Sequence, residues 1–126
     1  MARKRRDPRV QVLDYIELYA DNVECGVTTQ TIRILRSPPF KVGDQLVHRA
    51  GYRTWRSRIL LVSTCSMVRV IEISVDGVIR INGQATLPKS QQKFAKACGF
   101  TVYQSLLESI EISHGLPFKG FVVDWL

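Results

Sequence analysis

The dipeptide Asp76-Gly77 stands between two extended apolar runs, residues 68–75 and 78–82, and leaves few options for the fold. A two-residue hairpin turn needs positive φ at its centre, which Asp and Gly tolerate, so adjacent antiparallel strands are expected there. An isolated hairpin is marginal in water and must find further strands or a helix to cover one face. Other segments supply them. Residues 28–35 are rich in Thr and Ile, as a half-buried pleated surface prefers, and Ser37-Pro38-Pro39 ends that strand because proline cannot donate to a ladder. Val42-Gly43-Asp44 reads as a turn into a strand over 45–49, residues 50–58 read as a loop, and residues 59–63 and 121–125 are again extended.

Helical periodicity appears in three places. Leu13, Ile16, Ala20 and Val23 recur at spacings of three and four, which predicts an amphipathic helix closed by Gly26. Asp14, Glu17, Asp21 and Glu24 follow the same rhythm one position later and make an acidic face beside the apolar one. Residues 90–98 predict a second helix with Ser90 as N-cap. Thr101 and Gln104 form a capping box for a third, whose apolar stripe is Tyr103, Leu106, Leu107 and Ile110 and whose end is Gly115 followed by Pro117. The expectation is an α+β fold: a small, mostly antiparallel barrel with an N-terminal helix and two short helices before the last strand. A chain of 126 residues accommodates one such core, so residues 10–126 are read as a single domain behind a flexible basic arm, residues 1–9.

Charge narrows the partners. The net charge of +7 comes from 18 Lys and Arg against 11 Asp and Glu, and it is unevenly spread. The arm is basic, residues 10–32 carry four acids and no Lys or Arg, residues 33–58 carry seven Lys or Arg against Asp44, and the remainder is nearly neutral. Concentrated positive charge suits a polyanion. Within the basic block, Arg49, Arg53, Arg56 and Arg58 interleave with Tyr52 and Trp55; guanidinium forks fit phosphates and aromatic rings stack on unpaired bases. The plainer reading is a charged, solvated sheet edge around a core Trp55. Thr28, Thr29, Thr31 and Arg33 are candidates for an adjacent anion-binding cleft, although threonines are also simply good strand formers.

Several chemistries find no support. Cys25, Cys65 and Cys98 are odd in number and widely spaced, which excludes a disulfide framework and suits a reducing cytoplasm. The two histidines, His48 and His114, have no companions at metal-ligand spacing, so neither a metal nor a cofactor is expected, and His114 reads as a helix C-terminal residue. No apolar run is long enough to span a membrane.

Five segments, in order over residues 12–126, resemble the ASCH domain family of PUA-like β-barrels. Gly26-Val-Thr-Thr-Gln-Thr-Ile-Arg33 resembles the family's opening motif, Gly-x-Lys-Thr-x-Thr-Ile-Arg, and Pro39-Phe-Lys-Val-Gly-Asp44 its Gly-Asp turn. Ala50-Gly-Tyr-Arg-Thr54 is similar to a segment of phage-type members. Cys98-Gly-Phe100 resembles the helix junction, and Leu116-Pro-Phe-Lys-Gly120 with Trp125 the closing strand. The resemblance implies a PUA-like barrel, binding of single-stranded or modified RNA rather than DNA, and a phage origin. Some small members are amidohydrolases acting on acetylated cytidine with a Lys, a Thr and a carboxylate. Carried over, the Thr is Thr31, but the Lys position is Thr28 and the carboxylate position is Cys98, and no acid lies between residues 77 and 107. Thr31 therefore stands as a catalytic candidate only if the protein is an enzyme at all.

Three readings follow. The first is an RNA-binding module that uses Arg33, Arg49, Tyr52, Arg53, Trp55, Arg56 and Arg58, with Thr28, Thr29 and Cys98 in the cleft. The second is a nuclease or nucleoside-modifying hydrolase around Thr31. The third is a phage product that binds a host or defence protein through the acidic helix.

Overall fold

The computed structural model of the chain describes residues 9–51 and 54–126. Its elements run β1 (Val10–Tyr15), α1 (Glu17–Glu24), β2 (Gln30–Ile34), β3 (Gln45–Ala50), β4 (Arg58–Ile73), β5 (Ile79–Ile81), β6 (Gln84–Ala85), α2 (Pro88–Ala97), α3 (Tyr103–His114) and β7 (Phe118–Trp125). The seven strands make one mostly antiparallel sheet that does not close on itself. β4, 16 residues long, is its spine. The first half of β4 pairs with β3, and β3 pairs in parallel with β1; the second half pairs with β7 and β5, and β7 carries β2 on its far side.

A register shift between Cys65 and Met67 marks where β4 passes from one half of the sheet to the other. Leu13, Leu46 and Cys65 of the first half then meet Val123 and Trp125 of β7, with Phe40 closing the cluster. The opposite face of β4, β5 and β7 presents Ile71, Ile73, Ile79 and Val122, covered by Phe94 and Ala95 of α2 and by Leu106 and Ile110 of α3. α1 buries only Ala20 and Val23, against Ala50 and Leu60.

The helix expected from residue 13 onward is corrected. Residues 10–15 are a strand, and α1 begins at Glu17. Gln11 and Leu13 are buried and Val10 is exposed, the alternation of a pleated strand, and all six residues find partners along β3. Ile16, read as part of the apolar helical stripe, is 62% exposed at the N-cap position. The strands expected at 59–63 and 68–75 are one continuous β4, and β6 has no counterpart in the expectation. The hairpin at Asp76-Gly77 exists with a longer loop, residues 75–77: the Ser74 N–H donates to the Val78 carbonyl (3.0 Å), and Gly77 adopts φ +81°.

Neither proposed cap holds. α2 starts with Pro88 behind Leu87, which places Ser90 within its first turn. The Tyr103 N–H at the start of α3 donates to the side-chain oxygen of Gln92, 3.3 Å away on α2, and the Gln92 amide donates to the Thr101 carbonyl. The helix pair is thus stapled by a tertiary contact instead of a local box. Of the arm expected at residues 1–9, only Arg9 is described, and it is anchored: its guanidinium donates to both Asp44 carboxylate oxygens (3.1 and 3.0 Å) and to the Pro39 carbonyl.

Candidate functional site

Among the described residues, β1 and β2 each pair on one side only, with β3 and β7 respectively. A cleft of about 510 Å³ takes its walls from both, with Asp14 and Tyr15 from β1 and residues 31–34 from β2. Tyr19 of α1, Phe100 and the Ser109 and Ser113 face of α3 complete it. Its size falls within the roughly 300–1,000 Å³ of small-ligand pockets.

Arg33 is fixed at the centre. Its Nε donates to Thr31 Oγ1 (3.2 Å) and its guanidinium carbon lies 4.8 Å from the centroid of the Tyr15 ring. No carboxylate among the described residues is hydrogen-bonded to Arg33, whose guanidinium also interacts with the Tyr15 hydroxyl. Behind Tyr15 runs a buried polar column: its hydroxyl is 2.9 Å from His48 Nδ1, and His48 Nε2 is 2.8 Å from Ser63 Oγ. His48 is fully buried, with its ring 4.3 Å from that of Trp125. Burial, reinforced by the Arg33 charge, depresses its pKa to about 4, so the imidazole is neutral at pH 7 with one donor and one acceptor for its two hydroxyl neighbours. Burial likewise pushes the Tyr15 phenol up to about 12, against the opposing pull of Arg33.

Arg36 is the second cation of the cleft. Its Nη1 donates to the Val12 carbonyl (3.0 Å) and to Gln11 Oε1 (3.2 Å), and its guanidinium lies 4.3 Å from the Phe40 ring centroid. Asp14, the acid in the lining, is engaged by Arg49 through both oxygens (2.7 and 3.2 Å). At the inner end, the Thr28 hydroxyl is buried with no hydrogen-bond partner, and it packs so tightly on Gly99 that a Cβ there would stand 2.7 Å from it. The Cys98 thiol accepts a hydrogen bond from the Gln30 amide (3.1 Å) and is pushed up to about 12 by burial. A thiol so shifted is neither a nucleophile nor a base near neutral pH.

Of the sequence-based candidates, Thr28, Thr31, Arg33 and Cys98 meet in this cleft. Thr29 does not: it is exposed, and its backbone N–H and carbonyl bond to the Ala97 carbonyl and the Trp125 N–H. Arg49 and Arg58 lie on the strands flanking the loop and pair with Asp14 and Glu17, the latter at 2.7 Å. Within the loop, Trp55 is 87% exposed and carries the Arg56 guanidinium 4.7 Å above its ring, which corrects the reading of Trp55 as a core residue. Tyr52 and Arg53 lie outside the described residues.

Pattern reading missed Tyr15, His48, Ser63 and Arg36. The Tyr15–His48 contact joins residues 33 positions apart through the parallel β1–β3 pair, and no local signal announces it. Among the described residues, no cluster of His, Cys, Asp and Glu could hold a metal ion, and no helix is long and apolar enough to cross a membrane. No protein-family model, curated protein or solved structure matches the chain.

Proposed function

We propose that the protein binds single-stranded RNA, with a nucleotide unit in the cleft between β1 and β2 and neighbouring phosphates on the arginine-rich loop. The observation that carries this reading is Arg33, held in the cleft by Thr31 and Tyr15 with no carboxylate bonded to it among the described residues. A guanidinium preorganised in this way loses little entropy on binding a phosphate. Tyr19 and Phe100, whose rings lie 5.6 Å apart, line the same cleft and supply the aromatic surface for a base, while the Tyr15 ring is taken by Arg33 and His48. The loop is connected to it through residues 14–17, since Arg49 and Arg58 grip Asp14 and Glu17 on either side of the cleft-lining Tyr15 and Ile16. The Arg58–Glu17 pair is exposed and contributes little to stability, so a phosphate can replace its carboxylate. The finer fold assignment, a PUA-like barrel of ASCH type, rests on the motifs at residues 26–33, 39–44 and 116–120, as do the preference for RNA over DNA and a phage origin.

Short single-stranded RNA is expected to bind with an affinity that falls steeply with salt, log K dropping by about 0.7 per neutralised phosphate for each decade of salt. Arg33→Ala is expected to weaken binding roughly tenfold and to reduce the salt slope by about one phosphate equivalent. Fluorescence anisotropy across a salt series measures both, and a single-stranded DNA of the same sequence tests the RNA preference. Salt-independent affinity, or an unchanged slope in Arg33→Ala, removes the reading.

The hydrolytic alternative meets poorer chemistry. Thr31 Oγ1 already accepts from Arg33, the Cys98 thiol holds its proton, and His48 is enclosed between two hydroxyls with a depressed pKa. Of the four acids expected to dock a protein partner, Asp14 and Glu17 are paired with Arg49 and Arg58, whereas Asp21 and Glu24 are exposed on α1.

A further inference from the structure

The geometry points to a terminal phosphomonoester, the phosphorylated end of a strand or a nucleoside monophosphate, as the group that Arg33 and Arg36 hold together. This rests on the cleft being a nucleic-acid site and goes on to say which part of the polymer enters it.

The first argument is charge. Both arginines line the cleft, and among the described residues neither is hydrogen-bonded to a carboxylate. The cleft's own acid, Asp14, has both oxygens occupied by Arg49. Two guanidiniums close enough to perturb each other therefore share a half-enclosed space whose one acid, Asp14, is tied to a third arginine: burial, then the Arg33 charge, lowers the pKa of Arg36, and the Asp14 charge offsets this only in part. Such a pair is satisfied by a divalent anion. A phosphomonoester carries about −1.5 to −2 at pH 7 and offers three acceptor oxygens, by analogy with a phosphorylated side chain, whereas an internal phosphodiester carries one charge.

The second argument is shape. Arg36 follows β2, yet its side chain crosses to β1 and bonds the Val12 carbonyl and Gln11 Oε1. Gln11 in turn donates to the Pro38 carbonyl (3.0 Å) on the segment after Arg36. These bonds tie the β2–β3 connection to the edge of β1 at that end of the gap between the two strands. A strand end that reaches the tie meets both arginines, which places a terminal phosphate between them.

The test compares one short RNA sequence in four forms, with a 5′-phosphate, with a 3′-phosphate, with hydroxyls at both ends, and as a covalent circle, alongside the matching nucleoside and its monophosphates. The full chain is titrated with each. One phosphorylated end is expected to bind at least about tenfold tighter than the hydroxyl form or the circle, an advantage that shrinks as pH falls through about 6, where the phosphate gains a proton. Arg33→Lys and Arg36→Gln are both expected to reduce this advantage, and circular dichroism confirms their fold. Tight binding of a monophosphate alone assigns the same chemistry to a free nucleotide and supports the inference. A circle that binds as well as both phosphorylated forms overturns it and leaves RNA binding standing. No binding of any form overturns both.

Discussion

His48 has no contact with solvent, and its neutrality is a condition of the fold. The folded-state pKa of about 4 lies below the unfolded value of 6.5, so the unfolded chain takes up a proton first as pH falls. The stabilising contribution of the neutral imidazole is complete above pH 6.5 and is lost progressively between 6.5 and about 4, by up to about 3 kcal/mol. Urea unfolding followed over that window is expected to show the loss, and His48→Gln is expected to flatten it even if that variant is less stable at pH 7. A pH dependence identical in the variant would mean that other groups carry it. The same residue shows what local pattern withholds. A lone histidine in a strand has no signature, and the column it forms with Tyr15 and Ser63 exists only because three strands converge.

At the scale of elements, β2 owes its position to a glycine. Gly120 of β7 is paired with Ile34, and a Cβ at residue 120 would lie 2.4 Å from the Arg33 carbonyl oxygen and 2.8 Å from the Phe118 ring. Backbone cannot yield as a flexible side chain can. Gly120→Ala is expected to destabilise the protein by roughly 2–4 kcal/mol in chemical denaturation and, by shifting Arg33, to weaken RNA binding in the fraction that folds. Strand and helix content was largely legible in the sequence: the Thr-rich segment around β2, the stripe of α3 and the hairpin after β4 were all visible in it. The element that failed was β1. Leu13 and Ile16 fit a helical spacing by coincidence, and what made residues 10–15 a strand was the parallel partner β3, some 35 positions away, which no periodicity reveals. Half of the site was legible for the same reason: Thr28, Thr31 and Arg33 come from β2 and the turn before it, whereas Tyr15 comes from the misread strand.

For the whole molecule, β4 is the strand through which both halves of the sheet are joined. Its amides near Leu61–Val62 pair with β3 and those near Val70–Ile71 with β7 and β5. The two halves are therefore expected to unfold together, and hydrogen exchange should find amides from both ends of β4 opening with the same free energy, equal to that of global unfolding. Separate exchange energies for the two ends would show independent units.

Among the described residues, β2 has a single strand partner, and that partner is β7, whose paired residues 120–124 lie some ninety positions further along the chain. During synthesis, one wall of the cleft consequently has nothing to pair with until residues 120–124 have left the ribosome. At about 5–20 residues per second, that is an interval of several seconds in which the basic loop already exists and the cleft does not. On the proposed function, a nascent chain meets nucleic acid only through loose surface charge. The cleft is complete only when β7 docks, and a truncation that removes residues 120–124 is expected to abolish it together with the fold of β2.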